Sequence, residues 1–291
     1  LSFIDNKFFS NGQIIRSNVN SSIGRAFRFN AGYLDPDWWS ARIWLGSFDN
    51  KFDINDLGFI RRNDITWGGA RLEFRKQEPW GRFINNNIEF KYTQNWSGSG
   101  LTLDREVEVE QSNLFSNYWR VGFLGNLFLT GFNDEDVFRS DNAWVYKTEL
   151  WGYGGPSIST DRRKKIILGV EIGSGYGIKR GSGYRANIWL QAKPVEQLNF
   201  ELSFMQDKSP SYMRWVDIIE NVYDTARVYA NSILTTKDVN IRIDWTFSPK
   251  LTFQCYAQPF YADLDYKSFF RLKKPETMDI EPYDYLEISG N

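Results

Sequence analysis

Residues 86–96 read NNIEFKYTQNW. Ile88, Phe90 and Tyr92 occupy alternate positions, and Asn87, Glu89, Lys91 and Thr93 fill the positions between them. In an extended chain successive side chains point to opposite sides, so this spacing makes a strand with one apolar and one polar face.

The pattern repeats outward from this stretch. LDREVEVE (103–110) sets Val107 and Val109 against Asp104, Glu106, Glu108 and Glu110. YWRVGFLGNLFLTG (118–131) puts Trp119, Val121, Phe123, Leu127 and Leu129 on one side. YRANIWLQAK (184–193) sets Tyr184, Ala186, Ile188 and Leu190 against Arg185, Asn187, Gln191 and Lys193. In VNIRIDWTF (239–247), Arg242 and Asp244 face away from Ile241, Ile243 and Trp245. We expect about twelve strands, at 23–33, 37–48, 64–76, 83–96, 101–112, 117–131, 141–154, 164–178, 183–193, 198–207, 237–247 and 251–262. Several are as long as a tilted strand must be to cross an outer-membrane bilayer, roughly 9–11 residues.

The connections sort by alternation. One set, DPD, KQEPWG, 113–116, 155–163, PVEQ and SPK, is short and holds Pro36, Pro79, Pro156, Pro194 and Pro249. The other holds every long gap: 49–63, 132–140, 208–236 and the chain after 263. Short turns at one end and long loops at the other characterise an up-and-down membrane barrel. Charged side chains, among them Arg71, Glu73, Arg75, Arg120, Glu171 and Glu201, recur on one face. Trp38, Trp39, Trp67, Trp80, Trp96, Trp119, Tyr153 and Trp245 fall near expected strand ends, as in an interfacial girdle. Arg105 lies on the apolar side and is an exception that a place near the rim would accommodate. The expected fold is an all-β, antiparallel, up-and-down transmembrane barrel of the outer-membrane type; a soluble β protein is the alternative.

Composition narrows the chemistry. The 291 residues carry 35 Lys and Arg against 36 Asp and Glu, a net charge of −1, so there is no cationic excess for nucleic acid. No apolar run is long enough for a transmembrane helix, and LSFIDNKFF at the start lacks the form of a secretory signal. Histidine is absent and Cys255 is the sole cysteine. Triads that use His, His-ligated zinc and intrachain disulfides are therefore excluded. Glu106, Glu108 and Glu110 offer paired carboxylates of the kind glycosidases use, but their spacing is that of one strand face. Asp49, Asn50, Asp53, Asn55 and Asp56 offer oxygens to calcium without EF-hand spacing, and turn capping is their simpler use. The basic turn Arg162–Lys165 suits lipid phosphates or plain solvation. Gly169, Gly173, Gly175 and Gly177 fall on the polar face, where they make room for large neighbours or for a plug. We expect no catalytic residue, cofactor or metal ligand.

FDINDLGFIRRND (52–64) has no cleanly apolar face and lies between two strands. It resembles the hallmark loop of the family known as domain of unknown function 5916, an outer-membrane barrel of Gram-negative bacteria. RIDWTFSPKL (242–251) and LTFQCYAQPFYADLDYKSFFRL (251–272) resemble that family's penultimate turn and its aromatic strand with QPF. The resemblance makes Phe52, Asp53, Asn55, Asp56, Leu57, Gly58 and Phe59 the motif residues, in a structural role. Members usually carry an N-terminal module resembling a family 9 carbohydrate-binding domain, with further strands on both sides of this region. Residues 1–291 are accordingly expected to be part of one barrel domain. The implied role is a non-enzymatic channel, uptake element or surface anchor in the bacterial outer membrane, with its long loops outside. The alternative is an anchor for a carbohydrate-binding or hydrolytic module beyond the chain. Its partners would be the lipid bilayer, lipopolysaccharide, a surface glycan or other outer-membrane proteins.

Overall fold

The computed structural model describes residues 2–3, 7–55, 60, 62–138, 143–220 and 224–284. Strands β1 (Ser2–Phe3), β2 (Phe8–Val19), β3 (Ser22–Leu34), β4 (Trp39–Phe48), β5 (Ile65–Lys76), β6 (Phe83–Ser97), β7 (Thr102–Phe115) and β8 (Arg120–Leu129) follow one another as antiparallel neighbours. Then β9 (Phe132–Asn133) and β10 (Tyr146–Lys147) form a two-stranded ribbon outside the sheet, with a 3-10 turn at Glu135–Phe138 between them. The sheet resumes with β11 (Trp151–Ser159), paired to β8, and continues through β12 (Ile166–Gly177), β13 (Gly181–Val195), β14 (Leu198–Glu220) and β15 (Thr225–Ser248). Both β16 (Leu251–Ala257) and β17 (Phe260–Leu272) pair with β15, in succession along its length, and β18 (Ile280–Pro282) joins β17. The architecture is thus all-β, antiparallel and up-and-down. Among the described residues its first and last strands do not pair with each other.

The structure corrects the sequence reading in four places. Strand β2 was not expected; it is joined to β3 by Asn20 and Ser21, whose φ values of 48° and 65° make the tight hairpin turn that matches strand twist. The strand expected at 141–154 instead occupies Trp151–Ser159. Residues 208–236, expected as a long loop, are mostly the paired extensions of β14 and β15. The single strand expected at 251–262 is interrupted around Pro259, which has no N–H for the ladder, and resumes as β17. The sorting of connections nevertheless holds. Turns 35–38, 77–82, 116–119, 160–165, 196–197 and 249–250 lie at one end of the sheet. The segments 49–64 and 130–150, the tip of the β14–β15 hairpin and 273–279 lie at the other.

Register sorts the side chains onto two faces. On one, Leu45, Gly68 and Gln94 align across β4–β6, as do Ile43, Ala70, Tyr92, Val107 and Leu127 across β4–β8. Leu168–Leu190–Leu202–Ile241 and Val170–Ile188–Phe204–Val239 continue that face over β12–β15. These side chains are not covered by a second layer among the described residues: Ile43, Ile172 and Ile188 are 55%, 56% and 53% exposed. The whole chain exposes 18578 Å². A compact soluble domain of this mass would expose roughly 12,800 Å², so the sheet is a single thin layer over most of its extent.

Among the described residues the cluster of buried apolar side chains lies at the long-loop end. Tyr146, Tyr212, Met213, Tyr229, Phe270 and Leu272 pack there, flanked by Trp144, Trp215, Met278 and Ile280. At the short-turn end, rings meet along the rim instead. Phe8, Tyr33, Trp39, Trp38 and Phe74 form a chain with centroids 4.6 to 6.1 Å apart. Trp80–Phe83–Phe115 and Trp245–Phe247 add to it.

Candidate functional site

The polar face carries its charge in rows that only the register reveals. Arg42, Arg71 and Lys91 stand directly opposite one another across β4, β5 and β6. One pair nearer the short-turn end, Glu73, Glu89 and Glu110 stand opposite one another across β5, β6 and β7. Like charges in direct register repel, and bridges between the rows offset part of that cost. Arg71 Nη2 lies 2.7 Å from Glu89 and 3.5 Å from Glu73. Lys91 Nζ lies 3.3 Å from Glu108, which also accepts from Asn126 at 3.1 Å. On the opposite wing Arg185 donates to Asp207 at 2.9 Å, and Arg242 to Asp244 at 2.9 Å. Arg71, Glu73, Arg75, Arg120, Glu171 and Glu201 all fall on this face, as their alternation requires.

Aromatic rings lie over glycines on the same face. Trp67 covers Gly46, Trp44 covers Gly69, Trp189 covers Gly169 and Tyr153 covers Gly173. At Gly46 a Cβ would sit 2.3 Å from the Trp67 ring, so only glycine lets the indole settle on the backbone. The polar-face glycines therefore make room for neighbouring rings. Trp67 and Tyr153, expected in an outer girdle, point to the polar face instead, because their register partners are on it. Arg105, on the apolar face, donates through Nε to the Thr130 carbonyl at 3.1 Å, at the long-loop end.

The motif loop is rooted by Asp49. Its Oδ2 accepts from the Arg25 N–H at 2.8 Å and its Oδ1 from the Lys51 N–H at 3.0 Å. Its carbonyl accepts from Phe52 and Asp64. Phe52 is 1% exposed, stacks on Phe48 at 5.0 Å, and passes so close to Gly24 that a Cβ there would clash with the Phe52 backbone. The Asp53 N–H donates to Ser17 Oγ, Asp53 Oδ1 accepts from Asn55 N–H, and Asn55 Oδ1 accepts from Ile60 N–H. The acids and amides thus cap turns. Asp56, Leu57, Gly58 and Phe59 lie outside the described residues. Ser17 and Gly24 are polar-face positions, so the loop folds across that face.

From there the long-loop end is knitted together. Arg62 grips Asp134 with two bonds of 2.6 Å, joining the 49–64 and 130–150 segments. These bonds hold the Arg62 pKa above its ordinary value. Glu149, buried, accepts from the Lys179 and Arg180 N–H groups and from Arg180 Nε. Tyr146 donates to the Met213 carbonyl at 3.3 Å, and Lys147 N–H to Thr277 O at 3.0 Å. Sequence reasoning had no access to these links, since Arg62 and Asp134 are 72 residues apart. In the basic turn, Arg163 pairs with Asp161 and covers the Tyr118 ring at 3.0 Å, while Lys165 donates to the Pro194 carbonyl. Among the described residues no group of three or more acidic, Cys or His side chains is arranged to hold a metal.

No curated protein and no solved structure matches the chain. The profile of one family does, over residues 3–287, and its description is Domain of unknown function (DUF5916). Coverage of nearly the whole chain settles membership: the protein belongs to the DUF5916 family.

Proposed function

We propose that the chain forms the wall of a transmembrane β-barrel in the outer membrane of a Gram-negative bacterium, acting as a non-enzymatic conduit, uptake element or surface anchor. The observation that carries this reading is the uncovered apolar face. Leaving Leu, Ile or Phe in water forgoes about 1.5–3 kcal/mol for each side chain that burial would shield, and soluble monomers rarely expose apolar patches beyond a few hundred Å². Lipid removes that cost, and it requires the backbone to be satisfied by strand pairing, as here. The charged face would line the aqueous interior. In the closed barrel the free edges of β2 and of β16–β17 meet, directly or through further strands.

Two further features support the reading. Links between the 49–64, 130–150 and 273–279 segments join connections between strands far apart in sheet order, as a sheet curling round its polar face would need. Exposed Trp38, Trp80 and Trp119 at the short-turn end suit the bilayer interface. The long-loop end would face outward. Membrane fractionation of cells making the protein tests the proposal: recovery with the outer membrane, soluble only in detergent, is expected. A monodisperse protein in detergent-free buffer would overturn it.

A further inference from the structure

The cationic row has a property that the salt bridges do not exhaust. Arg71 and Lys91 have carboxylate partners, but among the described residues Arg42 has none, and neither does Arg28 on the adjoining strand. Both side chains are exposed on the polar face. With Trp44, Trp67, Arg71 and Lys91 they line a cavity of about 310 Å³, in which Glu89, bridged to Arg71, is the one carboxylate among four cations. Arg71 also keeps a buried Nε without a hydrogen-bond partner. A directly opposed Arg42–Arg71 pair costs stability, and an anion lying between the guanidinium groups would turn that repulsion into attraction.

The floor of the cavity is as specific as its charge. Trp44 and Trp67 rest on Gly69 and Gly46, so each indole is held against the sheet by a backbone that admits no side chain beneath it. Fixed rings of this kind offer a flat apolar platform beside the guanidinium groups. Near the basic turn a single ring, Trp189 on Gly169, lies beside Arg162 and Lys193, whereas this cavity has two such rings. The trough near Gly122, Gly155 and Gly173 mixes Glu110 and Glu171 with Arg120, Arg162 and Arg185, so most of its positive charge is offset.

We propose that this cavity binds an organic oxyanion carried on a ring, its charged group between Arg28, Arg42 and Arg71 and its ring on the Trp44–Trp67 platform. The inference deepens the conduit reading by assigning the face a ligand class, and it rests on that reading only for the face being an aqueous interior. Charge-assisted contacts of the guanidinium groups supply affinity, and salt weakens it because the site is open to water.

Titration calorimetry on the full chain in detergent tests the proposal, with glucuronate and benzoate as probes and glucose and inorganic sulfate as controls. Saturable binding of at least one ring carboxylate is expected, with no binding of glucose. The double variant Arg28→Ala/Arg42→Ala should weaken binding about tenfold or more. Arg185→Ala, on the opposite wing, should leave it unchanged. Circular dichroism of each variant confirms that the sheet is intact; if the double variant fails to fold, Arg42→Gln alone takes its place. Absence of binding by both carboxylates overturns the proposal, as does equal affinity in wild type and a folded Arg28/Arg42 variant. Sulfate binding as tightly as the ring anions would overturn the role of the platform. A protein that binds as expected yet stays dispersed without detergent would leave this site standing and remove the membrane reading.

Discussion

The two ends of the sheet solve the same problem, how to finish a set of strands, by different physics. At the short-turn end only scattered residues such as Asp35, Asp161 and Ile167 are buried, and the described residues form no packed apolar cluster there. Turns such as 35–38 and 196–197 reverse the chain at once, and rings from Phe8 to Phe74 meet in tilted and stacked pairs along the rim. At the long-loop end the chain builds a small globular core around Tyr229, which is 0% exposed, and locks neighbouring loops with Arg62–Asp134 and Glu149–Arg180. The second end follows the rules of a water-soluble protein, with apolar side chains inside and buried charges paired. The first leaves amphipathic rings along an exposed rim, the arrangement that the proposed bilayer interface would use. In the proposed membrane setting one chain would be fitted to two solvents, and the strands between the ends would carry the change.

Substitutions at chosen places can break or sharpen this contrast. The largest effect is expected in the cap. Tyr229→Ala removes a fully buried ring and should cost about 3–5 kcal/mol locally, read as early proteolysis of the 130–150 segment while strand content persists. Loss of the whole sheet together with the cap would show that the two regions are one cooperative unit. Next is the apolar face. Ile172→Arg should destabilise the bilayer-embedded protein by about 2–4 kcal/mol if the residue faces lipid. If Ile172 faces water, as its 56% exposure in isolation would allow, denaturant titration should find a change within about 0.5 kcal/mol. Asp134→Ala leaves Arg62 without its bidentate partner in a mostly enclosed place, for an expected loss of about 1–3 kcal/mol. Its signature is faster hydrogen exchange in both joined segments. The smallest effect belongs to the short-turn end. Hydrogen bonds from Arg163 hold the Asp161 carboxyl down to about 2. A carboxyl depressed in the folded state stabilises above its ordinary value and loses that contribution as pH falls through its folded value. The Arg163–Asp161 contact should therefore persist at pH 5 and release only as the pH approaches 2, followed by the Arg163 Nε proton resonance. Release near pH 4 would mean that the pair is not formed.

What was legible in the sequence was the alternation. Val107 and Val109 against Glu106, Glu108 and Glu110 needed no structure to place, because strand period alone separates them. Alternation failed where the ladder is irregular. The β14–β15 extension shifts register between Ser211 and Arg214 and again between Trp215 and Asp217, and Met213 has φ of 65°. Each irregularity resets which residues face which way, so a paired hairpin read as a loop. Strand β2 was missed because Ser10, Gly12 and Arg16 share its apolar side with Phe8 and Ile14, which leaves no clean period. The charge rows were half visible. The sequence put Arg42, Arg71 and Lys91 on strands, but only cross-strand register sets them side by side. The cap was invisible, since its contacts join segments far apart in the chain.

Cys255 provides the most direct measurement without any substitution. It is the sole cysteine and pairs with Ile243, which places it on the apolar face. A nitroxide attached there, in protein reconstituted into a bilayer, can be relaxed by oxygen dissolved in lipid or by a water-soluble nickel chelate. The account predicts strong relaxation by oxygen and little by nickel. Strong relaxation by nickel with little by oxygen would contradict it, since the apolar face would then lie in water.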